Sequence, residues 1–281
     1  MTTTYRDAST KAVTAANGIE YAYRETGDGE VPLVCFQHFR GNLDNWDPAL
    51  IDELASGRRV VTFDNAGVGA TTGTTPNNFN QMAHDAIAFI EATGYDRVDV
   101  LGFSIGSFVA QELALIRPSL VRRVVLASAA PKGAAGMHGW AADVIDAIGH
   151  PRPNPDGYLA VFFTSSAASS GAGKQTLQRL SGRMTDRDEP TGWQTRLAQY
   201  DAVCAWGQPN HGELERLRAI TQPVFVANGD SDPMILPHYS YLLAGLLPDA
   251  RVKIFPDAAH GFLFQHHVEF AADVHRFLGG A

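Results

Sequence analysis

Five residues, Gly102-Phe103-Ser104-Ile105-Gly106, constrain this chain more than any other stretch. They follow an apolar run, Val98–Leu101, and open a helix-like segment, Ser104–Arg117, that stops at Pro118. A strand that turns at once into a helix leaves space only for small residues on either side of its apex. The apex hydroxyl, here that of Ser104, is then presented at the end of the sheet. The helix N-terminus beside it favours developing negative charge. The context of strand before and helix after predicts that Ser104 is a nucleophile rather than a structural turn residue.

The flanking pattern predicts the sheet. Ile19, Tyr21 and Tyr23 alternate with polar or small residues, as in a half-exposed antiparallel strand, and the turn Gly27-Asp28-Gly29 follows. Beyond it, Val31–Phe36, Val60–Phe63, Val98–Leu101, Val121–Ala127 and Val224–Ala227 are short and nearly continuously apolar, which fits parallel strands buried on both faces. Met82–Thr93 has helical spacing and ends before Gly94. Strand–helix alternation predicts an α/β fold, a mostly parallel mixed sheet flanked by helices.

From about Pro131 to about Leu217 no buried strand is recognisable, and a loop of that length is foreign to a compact domain. The segment contains a Pro-rich turn and the aromatics Trp140, Tyr158, Phe162, Phe163, Trp193, Tyr200 and Trp206. It reads as a helical cap, residues 131–217, inserted into a core formed by residues 1–130 and 218–281. Some of its aromatics form the cap's own interior. Others, with Trp140, Phe162, Phe163 and Trp206 as candidates, are expected to line a pocket for an apolar or aromatic small molecule.

With 22 Lys+Arg against 30 Asp+Glu, the formal charge is -8, and no basic cluster offsets it, which argues against nucleic-acid binding. Met1–Thr10 is polar and lacks the apolar core of a signal peptide, and no apolar run reaches membrane-spanning length. Cys35 sits within an apolar run and Cys204 is far from it, so no disulfide framework is expected. These features point to a cytoplasmic protein. No metal-ligand pattern stands out and no dinucleotide fingerprint follows the first parallel strand, so no cofactor is expected.

The Gly-x-Ser-x-Gly turn in this setting resembles that of the α/β-hydrolase fold superfamily, in its haloperoxidase- and esterase-like branch, and the resemblance covers nearly the whole chain. In that family an acid and then a histidine follow the serine. Asn228-Gly229-Asp230-Ser231-Asp232-Pro233 is similar to the acid loop, where a glycine precedes the acid by three positions, which implies Asp232, with Asp230 as competitor. Pro256-Asp257-Ala258-Ala259-His260-Gly261-Phe262 is similar to the histidine loop and implies His260 as the base, whereas His266 and His267 read as residues of a C-terminal helix. Ile105 is implied as one oxyanion-hole donor. The second comes from Gln37-His38-Phe39-Arg40-Gly41-Asn42, where relatives carry His-Gly and this chain has His38-Phe39. The family register implies the amide of Arg40, with Phe39 as the alternative. Asp64-Asn65-Ala66-Gly67-Val68-Gly69 resembles the family's Asp-x-x-Gly-x-Gly loop, a structural support near the site.

The resemblance implies a serine hydrolase that cleaves a carboxylic ester or lactone through an acyl-serine intermediate. Carbon–carbon bond hydrolysis, other cofactor-free chemistry and a receptor-like protein that retains the triad are the alternatives within the family. Haloalkane dehalogenases and epoxide hydrolases use an aspartate where this chain has Ser104.

Overall fold

The computed structural model describes residues 3–151 and 154–280. Its centre is an eight-stranded sheet: β1 (Lys11–Thr14), β2 (Glu20–Thr26), β3 (Leu33–Phe36), β4 (Val60–Phe63), β5 (Val98–Phe103), β6 (Val121–Ala127), β7 (Val224–Gly229) and β8 (Ala250–Phe255). The order across the sheet is β1-β2-β4-β3-β5-β6-β7-β8. β1 pairs antiparallel with β2, and β2 antiparallel with β4; every other neighbouring pair is parallel. The chain is therefore of the α/β class with a mostly parallel mixed sheet.

β3, β4, β5 and β7 are buried at every residue, and successive side chains point to opposite faces, so both faces of the sheet are covered. This is why their sequences read as unbroken apolar runs. Asp99 is the exception within β5. Its buried carboxylate accepts from Arg122 at 2.9 and 2.5 Å, which offsets the cost of removing the charge from water. The antiparallel strand expected near Tyr21 is β2, but it is not half-exposed: Tyr21, Ala22, Arg24 and Thr26 are all buried, Arg24 in its ion pair with Asp44, and the partner β1 carries no apolar alternation from which it could be recognised.

Helices α1 (Pro48–Ala55), α2 (Phe79–Ala92) and α3 (Ile105–Ile116) follow β3, β4 and β5, and α2 packs along α3. Asn78 caps α2 by accepting from the Gln81 amide, which starts the helix three residues before the apolar spacing becomes visible. Between β6 and β7 lie α4 (Ala142–Ile148), α5 (Pro155–Phe162), α6 (Ala167–Leu180), α7 (Trp193–Trp206) and α8 (His211–Arg216), with no strand among the described residues there. α9 (His238–Leu246) joins β7 to β8. α10 (Phe262–Gln265) and α11 (His267–Gly279) end the chain, and α11 packs on α1.

The strand order fixes where a ligand can bind. The chain moves from β3 outward to β4, then returns to the other side of β3 to form β5. At such a reversal the connections leave in opposite directions and open a crevice beyond the strand ends. The loop after β3 and the turn after β5 border it.

A pair of carboxyls, Asp64 buried and Asp188 half-buried, ties the end of β4 to the segment ahead of α7. Asp64 accepts from the Leu43 amide at 2.8 Å, and its second oxygen shares the space over Gly69 with Asp188. Gly69 has φ +54°, and a side chain there would run into both carboxyls. Burial, and then the charge of Asp188, hold the Asp64 carboxyl well above the ordinary carboxylate range. Asp188 is raised by burial and by Asp44, which is itself paired with Arg24 at 2.8 Å.

An acid whose pKa is higher in the folded state binds its proton more tightly when folded. Its contribution therefore lowers stability as pH rises from the ordinary carboxylate range, about 4, toward the raised value. Asp64→Asn keeps an acceptor for Leu43 and removes the charge. Thermal unfolding followed from pH 5 to 9 should show a flatter decline in Tm for Asp64→Asn than for the wild type, with a Tm at pH 8 no lower. An unchanged slope would show that the pair is not protonated in the native state.

Candidate active site

Ser104 stands between β5 and α3 with φ 56° and ψ -124°, a conformation that costs a non-glycine residue about 1–3 kcal/mol. Its surroundings hold it there. The Ser104 amide donates to Ala127 O on β6 at 2.9 Å. The Ser107 amide and hydroxyl both donate to Ser104 O, at 2.8 and 2.5 Å. A Cβ at Gly102 would overlap the backbone of Gly106, and one at Gly106 would overlap the carbonyl of Phe36 on β3. The two glycines are thus required by close packing of turn on turn and of helix on strand. Ser104 Oγ is buried without a hydrogen-bond partner among the described residues.

His260 follows β8. Its Nδ1 donates to Asp232 Oδ2 at 2.8 Å, and both residues are buried. Asp232 Oδ1 accepts from the amides of Met234 and Ile235 at 2.9 and 3.0 Å. Three donors converge on one carboxylate, so the ring proton belongs on Nδ1 and a bare lone pair on Nε2. His260 Nε2 has no partner among the described residues. Asp230 is built into the loop instead: it accepts from the amides of Asp257 and Ala258, at 3.0 and 3.2 Å, and from Ser231 Oγ. The aspartate bonded to His260 is therefore Asp232. His266 and His267 face backbone carbonyls of Pro256 and Phe264 at the start of α11, away from this pair.

Ser104 and His260 open onto one cavity of about 540 Å³. Ser104 Oγ and His260 Nε2 make no hydrogen bond to each other. The loop after β3 forms a wall. There the register implied for Arg40 fails: its amide already donates to Gln199 Oε1 of α7 at 2.7 Å. Phe39 lines the cavity, and its amide donates to no acceptor among the described residues. The Arg40 amide is thus taken, that of Phe39 is not, and Ile105 is the first residue of α3. Arg40, at φ +60°, instead donates its guanidinium to the carbonyls of His150, Pro151 and Thr191, at 2.5, 3.1 and 3.2 Å. It fastens this loop to the segment between β6 and β7.

Of the four aromatics expected at the pocket, Phe162 lines it, edge-on to the His260 ring at 5.2 Å. The other three do not. Trp140 packs against Phe39 and Tyr200, with ring centres 4.9 and 5.2 Å apart. Phe163 lies against Gly173 of α6. Trp206 stacks on Phe108 of α3 at 4.8 Å and donates its indole N–H to Ala130 O, which makes it part of the contact between α7 and the sheet domain. Aromatic composition alone could not separate these packing roles from a lining role.

Several lining residues were not among those four candidates, Tyr158, Met234 and His38 among them. Tyr158, four residues before Phe162 on α5, stacks on it at 4.0 Å; the i,i+4 spacing was the available signal. Met234 lies two residues past Asp232. His38 adjoins Phe39, and its Nδ1 donates to Phe39 O at 2.9 Å. Burial lowers the His38 pKa to about 4, so the ring is neutral over the physiological range.

Among the described residues no group of three or more His, Cys, Asp or Glu side chains is placed to hold a metal, and no helix is long and apolar enough to cross a membrane.

Comparison with known proteins agrees with this architecture. A solved α/β-hydrolase fold protein from Chitinophaga pinensis superposes with a TM-score of 0.92 at 39% identity, covering 99% of this chain and 100% of that one. The dihydrolipoyllysine-residue acetyltransferase component of the acetoin cleaving system of Cupriavidus necator is 30% identical over 94% of this chain and 68% of its own length. The pimeloyl-[acyl-carrier protein] methyl ester esterase of Aliivibrio salmonicida is 26% identical over 91% of this chain and 95% of its own. Residues 31–267 match the family described as alpha/beta hydrolase fold. From strand order, elbow turn and sequence match alike, the chain belongs to the α/β-hydrolase fold family.

Proposed function

We propose that this protein is a serine hydrolase that cleaves a carboxylic ester or lactone through an acyl-serine intermediate. One observation carries the reading: His260, oriented through Nδ1 by Asp232, keeps an unpartnered Nε2 in the cavity that also receives the unpartnered Ser104 Oγ.

The chemistry follows from these positions. Ser104 Oγ attacks the acyl carbon as its proton passes to His260 Nε2. The carbonyl oxygen becomes an oxyanion and accepts from the N–H groups of Ile105 and Phe39. Collapse breaks the bond to the leaving oxygen, which takes the proton from His260. Water then repeats the sequence on the acyl-serine, with His260 accepting its proton and returning it to Ser104. Asp232 holds the tautomer and stabilises the imidazolium.

The apolar part of the cavity, from Phe162, Tyr158 and Met234, suits an apolar acyl or alcohol group. In this reading residues 131–217 act as a cap that admits substrate, and α5 is its active face: Val161 O and Phe162 O accept from the amides of His260 and Gly261, at 3.3 and 2.8 Å. The ester chemistry named for the Aliivibrio salmonicida relative supports the choice of bond.

p-Nitrophenyl esters of short and medium acids should give a pre-steady-state burst equal to the enzyme concentration. Ser104→Ala should abolish it and lower kcat by about 10⁴- to 10⁶-fold. Normal turnover by the variant would remove the acyl-enzyme from the account. Asp232→Asn should lower kcat by about 10⁴-fold with little loss of fold, by favouring the wrong imidazole tautomer. Asp230→Asn should leave kcat much nearer the wild type and lower Tm instead, because it weakens the acceptor for two loop amides. A reversed pattern of kcat losses would reassign the acid.

A further inference from the structure

His38 is a buried imidazole in the wall of the cavity that the ester-cleaving mechanism does not use. Its Nδ1 donates to the Phe39 carbonyl, so Nε2 carries a lone pair, and Nε2 has no partner among the described residues. A buried acceptor left unpaired costs about 1–3 kcal/mol. The ring cannot turn to relieve this. It packs edge-on to Phe103 and Phe162, with centres 5.4 and 5.3 Å away, and its Nδ1 bond would be lost on rotation. Those same two aromatic rings also contact His260. His38 is thus held beside the reacting groups, one residue before the amide assigned to the oxyanion.

We propose that His38 is a specificity residue, whose Nε2 accepts a hydrogen bond from a hydroxyl that the substrate carries close to its scissile carbonyl, as in 2- or 3-hydroxyacyl esters. The inference rests on the ester-cleaving reading and narrows its substrate class. The partner must be a donor, because the imidazole offers a lone pair. A neutral hydroxyl matches an uncharged ring.

The test compares two p-nitrophenyl esters, of 2-hydroxybutanoate and of butanoate, by the ratio of their kcat/KM values. The wild type should prefer the hydroxylated ester. His38→Phe keeps a flat ring in apolar surroundings and removes the acceptor, so the preference should fall by about tenfold. His38→Gln, which restores an acceptor, should recover part of it. An unchanged ratio in His38→Phe would overturn the proposal. So would an equal fall for both esters confined to kcat, the signature of a residue that holds the hydrolytic water.

A second measurement covers the case in which His38→Phe does not fold. In ¹⁵N-labelled Ser104→Ala protein, the His38 Nε2 resonance should shift upfield on adding the hydroxylated ester and stay in place with the butanoate ester. Equal responses to the two would overturn the proposal. Absence of turnover of any ester by the wild type would instead remove the ester-cleaving reading, and the nitrogen shift would still report separately on the hydroxyl contact.

Discussion

The strained turn at Ser104 sets the terms for the rest of the molecule. A side chain at φ 56° costs about 1–3 kcal/mol and persists only where its neighbours leave no alternative. Here the neighbours come from three strands. β5 delivers the residue, β6 accepts its amide through Ala127 O, and β3 presses the Phe36 carbonyl against Gly106. The parallel register that aligns Phe36 with Gly102 and Phe103 with Ala127 is therefore part of the site. The same register carries β7 and β8 alongside, so that the loops bearing Asp232 and His260 reach the same end of the sheet.

Electrostatics then divides labour among groups of like chemistry. Asp232 and Asp230 are two residues apart, yet one receives the imidazole and two amides while the other fastens the histidine loop from outside. His260 and His38 likewise both hydrogen-bond through Nδ1, one to a carboxylate and one to a carbonyl. A carboxylate can stabilise an imidazolium, and a carbonyl does so far less. This difference suits His260 to accepting a proton and leaves His38 an acceptor of hydrogen bonds. Arg40 adds a mechanical link. Its bonds to His150, Pro151 and Thr191 carry the loop after β3 and the helices between β6 and β7 as one unit.

The parallel strands were legible because burial on both faces forces unbroken apolar runs, and the elbow was legible because its glycines answer to steric contacts that no other residue satisfies. β1 was not, since Lys11–Thr14 is a mostly exposed edge with no periodic constraint. In the loop after β3 the sequence left Arg40 and Phe39 both open as the second donor. Sequence alone did not reveal that Gln199, far along the chain on α7, takes the Arg40 amide and leaves that of Phe39 free. Trp140, Phe163 and Trp206 were indistinguishable from Phe162 by composition, because a packing aromatic and a lining aromatic obey the same preference for burial. Their separation comes from tertiary contacts: Phe108 beneath Trp206, Gly173 against Phe163, Phe39 against Trp140.

The central claim is that the strained serine is the atom that attacks. Reaction of the wild-type protein with a fluorophosphonate, followed by proteolysis and mass spectrometry of the adduct, addresses it directly. The account predicts one phosphonyl group per chain, bonded to the peptide that contains Ser104 and lost when His260 is replaced by alanine. An unlabelled protein that still cleaves esters, or a label on any other residue, would contradict it.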